Sequence, residues 1–319
     1  MSRTGLAARI LQVCLITTCT GGALSQSYPS KPVRIVTGSV GGGSDVTSRH
    51  LALELSGPLG QPVIVENRAS LLATETVAKA PPDGHTLLVG GASVWHTPLL
   101  QKRNYDVSHD FSPLSLITRE VFVVVVHPAL PVKSVQDIVA LAKKRPGELN
   151  ISTGLSGGTT HLATELFKSM AQINAVGVPY KGSAPAIAAL ISGEVQLTIN
   201  EAGLMLSHIK SGRLRALAVT SATPSALLPG LPTVAASGLP GYEWIGMTHI
   251  MAPARTPAPV IGRLNQEIVR ALNKAEVRER YLNAGAEVVA STPEELAATI
   301  KADMTRITMV LKDADIHAP

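Results

Sequence analysis

Two glycine-rich turns carry the residues whose types and spacing suit chemistry. The first is GSVGGGSD, Gly38–Asp45, and the second is TGLSGGTTH, Thr153–His161. Each follows a short β-rich run and leads directly into a helical pattern. A helix start presents unpaired backbone N–H groups and a partial positive charge, and glycine lets an anion approach that backbone closely. The expected chemistry is anion capture by main-chain amides. The first turn lacks the G-x-G-x-x-G spacing of a dinucleotide site, although Glu66 follows a second strand at a distance suited to ribose binding. No Gly-Lys-Ser/Thr occurs, so a phosphate-cradling P-loop is excluded. The competing reading is that Ser44 or Asp45 simply caps a helix.

The second turn also spells G-x-S-x-G, Gly154-Leu155-Ser156-Gly157-Gly158, in the strand-to-helix setting of a serine-hydrolase nucleophile. A secreted hydrolase acting through Ser156 is therefore the alternative function. Its acid and histidine would come from Glu201 with His208 or His249, or from Asp313 with His317, and neither pairing stands out. His161 and Glu165 are four apart on the second helix, yet no H-E-x-x-H accompanies them, and no metal or organic cofactor is expected. His161 reads as a first-turn residue donating to a ligand or a nearby carbonyl. A third turn, Pro179–Pro185, starts another helix and offers Lys181 as a positive charge or as a plain surface residue. The run Val195–Asn200 ends in Asn200-Glu201, at the carboxyl end of a strand, where α/β proteins bind ligands.

These turns need a scaffold, and β-rich runs alternating with helical patterns imply an α/β fold with mostly parallel sheets. Strands are expected at Val33–Thr37, Val63–Glu66, Thr86–Gly90, Val121–His127, Leu149–Thr153, Ala175–Pro179, Val195–Asn200, Leu214–Thr220 and Ile245–Ala252. The run VFVVVV, residues 121–126, has no polar alternation and fits a strand covered on both faces, as in a parallel sheet. Val260, Leu264, Ile268 and Leu272 form a helical core stripe, as do Leu296, Ile300, Met304, Ile307 and Leu311. No flexible linker interrupts the chain. Strands crossing between two domains are the expected join, with one domain inserted in the other: 27–119 plus 243–319, and 120–242.

The 319 residues allow two domains of ordinary size, and 45% hydrophobic residues suffice for their cores. Aromatics at 3% argue against stacking on nucleic-acid bases. Residues 1–25 read as a signal peptide, with Arg3 and Arg9 before the apolar stretch Ile10–Thr20 and cleavage before Gln26. Both cysteines, Cys14 and Cys19, lie inside it; a lipid anchor at Cys19 is the less favoured reading because threonine precedes that cysteine. The rest of the chain then has no thiol and a mild basic excess.

YPSKPVRIV, GGGSD, QPVIVENR, VAKAPPDGHTLL, GTTHLATELFKSM, VPYKGSAPA, HIKSGRLRALAVTS, LPTVAASGLPGYE and STPEEL occur in order from Tyr28 onward. Together they resemble the Bug-type receptors of tripartite tricarboxylate transporters. The resemblance implies a type II periplasmic-binding-protein-like fold, two α/β domains joined by crossing strands around a ligand cleft. It implies a monomeric, periplasmic, non-enzymatic receptor that gives a small organic carboxylate to membrane subunits. By that resemblance Val40, Gly41, Gly42, Gly43, Ser44 and Asp45 line the cleft with Ser93, Ser156, Gly157, Thr159, Thr160, His161, Asn200 and Glu201. Three departures bear on the ligand: Thr37–Val40 replaces a Pro-Phe lead into the glycines, Ala69–Ala73 replaces a glycine-rich loop, and Asn200-Glu201 stands where Asp-Asn is common.

Overall fold

The structure, a computed structural model, describes residues 28–313. The signal-peptide reading, Cys14, Cys19 and His317 lie outside the described residues. Ten strands form one continuous sheet in the order β2-β1-β3-β9-β4-β7-β5-β6, with β10 and β8 also paired to β4. The strands are β1 Val33–Thr37, β2 Val63–Asn67, β3 Thr86–Gly91, β4 Phe111–Val126, β5 Asn150–Thr153, β6 Val176–Pro179, β7 Leu197–Glu201, β8 Arg215–Val219, β9 Ile245–Pro253 and β10 Ala286–Val288. The helices are α1 Gly43–Leu59, α2 Ser70–Ala78, α3 Ser93–Leu100, α4 Val107–Asp110, α5 Val135–Lys144, α6 Thr159–Ala171, α7 Ser183–Ser192, α8 Ala202–Lys210, α9 Ala258–Leu272, α10 Ala275–Asn283 and α11 Pro293–Asp313.

β4 is the spine. Its first part, to Val121, pairs with β9 and β10, and from Phe122 it pairs with β7 and β8. The chain returns at the same level: Thr220 Oγ1 lies 2.7 Å from Trp244 O and 3.0 Å from Phe122 O, and Trp244 N–H donates to Thr220 O at 2.9 Å. One sheet region thus holds β2-β1-β3-β9-β4-β10 and the other β8-β4-β7-β5-β6.

The expectation of mostly parallel sheets is corrected. Pairing is parallel within β2-β1-β3 and within β6-β5-β7, whereas β3 with β9 and every pair made by β4 are antiparallel. The parallel strands belong to β-α-β units; β4 and β9, which link the two regions, run against them. The VFVVVV run is buried on both faces, as read, but inside antiparallel pairs. Phe122, Val124 and Val126 join Ile138, Leu162 and Phe167 on one face, while Val123 and Val125 join Leu190 and Met205 on the other. Helices cover both sides, which removes the polar alternation of a half-exposed strand. The first half of β4 and all of β10 escape the sequence reading, because FSPLSLITRE carries polar residues and Pro113 and β10 is three residues long.

Both predicted helical stripes are core faces. Leu264, Ile268 and Leu272 of α9 are fully buried. In α11 the stripe serves two cores: Leu296 and Ile300 pack with Val36, Leu88 and Trp95, whereas Ile307 and Leu311 pack with Phe122, Phe167 and Trp244 of the other region.

Candidate functional site

α1 begins without a side-chain cap, because its N-cap is Gly42. Asp45 is buried and faces back into its own turn. Its carboxylate accepts the Gly41 N–H at 2.9 Å and Asn67 Nδ2–H at 2.8 Å, and it pairs with Arg49 at 3.0 Å. Asn67 Nδ2–H also reaches Gly38 O at 2.9 Å, so the turn is pinned at both ends. Gly41 takes φ +79°, which an L side chain rarely adopts. Val40 projects into solvent at 70% exposure. With Asp45 occupied, the N–H groups of Gly43 and Ser44 are left without a partner among the described residues. Asp45 therefore shapes the turn and leaves its amides free.

Burial alone would raise the Asp45 carboxyl, but the Asn67, Gly41 and Arg49 contacts outweigh it and hold the group below its ordinary value. A depressed carboxylate contributes stability above the unfolded pKa, about 4, and loses it as pH falls through the folded value. Asp45→Ala is expected to cost about 2 kcal/mol by stranding buried donors, a drop of roughly 3 °C in Tm for a chain of this size. A thermal melt at neutral pH checks this; an unchanged Tm contradicts it.

α6 begins in the same way, with Gly158 as an uncapped N-cap and Thr159 as its first residue. Its side chains also fold back: Thr160 Oγ1 accepts Gly154 N–H at 2.7 Å, and His161 Nδ1 accepts Gly157 N–H at 3.4 Å. Accepting at Nδ1 requires that nitrogen to be unprotonated and leaves Nε2 of the neutral ring as the donor. Burial, opposed by Glu165, lowers the His161 pKa and favours that state. Glu165 is engaged by Lys168 at 2.8 Å, away from any pairing with His161 over a metal. Among the described residues no group of three or more His, Cys, Asp or Glu side chains could hold a metal.

The two turns flank one seam between the sheet regions. Gly157 O accepts Thr97 Oγ1–H from α3 at 3.3 Å, and a Cβ on Gly157 would lie 3.2 Å from Thr97 Cα. Ser93, half-buried, opens that same α3. A Cβ on Gly91 would be 4.0 Å from Ser44 Oγ, and one on Gly182 4.0 Å from Ser39 Cβ. Lys181, beside Gly182, is exposed. The carboxyl of Glu201, from the end of β7, presses against Gly43: a Cβ there would run into Oε2 and lie 3.0 Å from Cδ. Asn200 is buried; its Oδ1 accepts the Glu201 N–H at 2.9 Å, and its Nδ2 donates to no other group among the described residues. Sequence reasoning passed over Thr97, Glu120, Gly203 and Gly285, all on this seam. For Glu120 a signal existed, a lone acid at the head of VFVVVV.

The hydrolase alternative gains no support. Ser156 Oγ is buried and has no hydrogen-bond partner among the described residues. His249 stacks on Trp95 at 4.6 Å, its pKa pushed down to about 3 by burial, with both ring nitrogens unpartnered. Glu201 lies against Gly43, and no histidine among the described residues bonds to it.

Comparison with known proteins follows the same lines. Residues 47–316 match the family described as the tripartite tricarboxylate transporter family receptor. The chain is similar to protein BugT of Bordetella pertussis, 36% identical over 318 residues, which is 96% of this chain and 97% of that protein. It superposes on R. palustris Rpa4515 with adipate at a TM-score of 0.88 and 34% identity, over 92% of this chain and 100% of that one. The corresponding values for MatC from Rhodopseudomonas palustris with bound malate are 0.84 and 27%, over 89% and 100%.

Proposed function

The chain belongs to the tripartite tricarboxylate transporter receptor family, and from that premise we propose that it holds a small organic carboxylate between the α1 and α6 starts and presents it to the transporter's membrane subunits. Its fold is the type II periplasmic-binding-protein-like α/β architecture of its solved relatives. It is a solute-binding receptor of the periplasmic kind, and no helix among the described residues is long and apolar enough to cross a membrane.

The observation that carries the reading is the pair of uncapped, glycine-led helix starts facing one seam. Both direct free amides and the positive ends of helix dipoles toward the place where a carboxylate would sit. The bound forms of the R. palustris protein with adipate and of MatC with malate support a dicarboxylate as the class. Gly43, Ser44 and Ser93 would form one wall and Ser156, Gly157 and Thr159 the other, while Asp45, Thr160 and His161 hold the turns in shape. The lobes are 27–119 with 243–319, and 120–242, hinged where β4 passes from one sheet region to the other, with Ile307 and Leu311 of α11 reaching across onto the core of the second lobe. Ligand touches both walls only when they meet, which shifts the balance toward the closed form. The receptor is exported through residues 1–25 and works as a monomer with no catalytic step.

A thermal-shift panel of mono- and dicarboxylates, amines and neutral sugars tests the reading. Carboxylates are expected to raise Tm with concentration by mass action, by about 2.7 kcal/mol at a hundredfold excess over Kd. Stabilisation by amines or sugars alone overturns it.

A further inference from the structure

Where the two sheet regions meet, a small pocket is lined by two carboxyl groups, Glu120 buried and Glu201 half-buried. Gly43, Thr47, Gly203 and Tyr281 are among its walls. The titratable groups facing Glu201 are Glu120 from β4 and Tyr281 from α10; what α1, α8 and the turn before β10 present is uncharged. No lysine, arginine or histidine lines the pocket. The Glu201 carboxyl makes no side-chain hydrogen bond among the described residues, whereas Glu120 accepts from Thr118 Oγ1–H. Glu201 belongs to one sheet region, and the surfaces that cover it, Gly43–Thr47 and Tyr281–Ala286, belong to the other. Separating the regions would return Glu201 to water; bringing them together strips part of its hydration and leaves it beside a second acid. An ionised pair in that setting has nothing to compensate it.

We propose that closure of this receptor is coupled to uptake of one proton by Glu201, so that carboxylate and proton are taken up together. This rests on the receptor reading above. The balance is simple: the open form carries Glu201 as a carboxylate, a solvent proton adds to one of its oxygens, and the closed form holds the neutral acid. Burial, and then the nearby Glu120 charge, raise the Glu201 pKa to about 8 in the closed arrangement, from an ordinary 4.5, and burial raises the Glu120 carboxyl as well, so the pair together takes up the proton that Glu201 faces. The sign follows. Below about 4.5 both forms are protonated and closure has no pH dependence; between about 4.5 and about 8 closure binds a proton, and the closed-to-open ratio falls up to tenfold per pH unit. Above that range the ratio levels off at its lowest value.

The test reads lobe closure directly, by single-molecule energy transfer between dyes at the exposed positions Lys79→Cys and Lys144→Cys, with Cys14 and Cys19 replaced by serine. Between pH 5 and 8.5, the ratio should fall steeply for wild type and stay flat for Glu201→Gln. Glu120→Gln, which removes the neighbouring charge, should move the midpoint to lower pH. A pH-independent wild type, or a Glu201→Gln variant that keeps the wild-type profile, overturns the proposal. If Glu201→Gln does not fold, the wild-type profile and the Glu120→Gln midpoint decide. Tm shifts with adipate and malate at fixed pH, read separately, report on carboxylate binding itself, so failure of the receptor reading is distinguishable from failure of proton coupling.

Discussion

Replacing Gly203 with alanine is expected to weaken carboxylate binding by about a hundredfold or more, about 2.7 kcal/mol, while leaving the fold intact. Gly203 is the second residue of α8, and alanine is a better helix former there than glycine by up to about 1 kcal/mol. Within its own region the substitution is therefore harmless. Across the seam it is not: the added Cβ would run into Ala284 O, with Ala284 C at 2.8 Å and Gly285 Cα at 3.0 Å. The contact is reciprocal, since a Cβ on Gly285 would lie 2.5 Å from Gly203 N. The atoms met are backbone on both sides, so no rotamer change relieves the clash, and the regions would have to stay apart. Apparent affinity scales with the fraction of molecules able to close. Calorimetry with the best carboxylate of the panel measures the loss, and circular dichroism checks the fold. Wild-type affinity in a folded Gly203→Ala protein would show that the seam does not close around ligand.

The second large effect is expected at Asp303. Its Oδ2 accepts Trp95 Nε1–H at 2.8 Å and contacts His96 Nε2, and its Oδ1 accepts Arg306 Nη2–H at 2.8 Å. Arg306 in turn lies over the Trp244 ring at 5.7 Å. One carboxylate thus ties α3, α11 and the core of the second sheet region together. Burial opposes its ionised form, but the contacts from His96, Trp95 and Arg306 prevail and hold the carboxyl well below the usual carboxylate range. Its stabilisation is complete above the unfolded pKa, about 4, and is lost as pH falls through the folded value. Removing one member of such a buried pair costs about 3–5 kcal/mol. Asp303→Ala should therefore lower Tm by roughly 5–8 °C near neutral pH. Differential scanning calorimetry at neutral pH and in strong acid separates the ionic part; a Tm change under about 2 °C at neutral pH contradicts the assignment.

What the sequence made legible is local. β1 falls on Val33–Thr37 as read, and the α9 and α11 stripes turn out to be core faces because helical periodicity within a dozen residues reports burial directly. Both glycine turns lie at helix starts for the same reason: strand, glycines and amphipathic run are contiguous. Local pattern is blind to long-range pairing. Burial on both faces looks the same in either pairing, so VFVVVV reads as parallel, and Phe111–Glu120 escapes the reading because its buried Ser115, Thr118 and Glu120 break the apolar run. The seam is the extreme case. Gly203 meets Gly285, Gly43 meets Glu201 and Gly157 meets Thr97 through segments far apart in the chain, and no residue pattern on either side announces its partner. Asp45 carries the same lesson at smaller scale: its type suits ligand contact, yet its carboxylate is turned to its own turn.

The central claim is that main-chain amides of the α1 and α6 starts grip one carboxylate between them. An amide-resolved NMR titration with adipate tests it most directly. The account predicts that the N–H resonances of Gly43 and Ser44 and those of Thr159 and Thr160, which have no partner among the described residues, shift together, saturate with a single Kd, and lead all other amides in magnitude. Saturable shifts confined to one turn, or centred on a different surface with both turns silent, would contradict it.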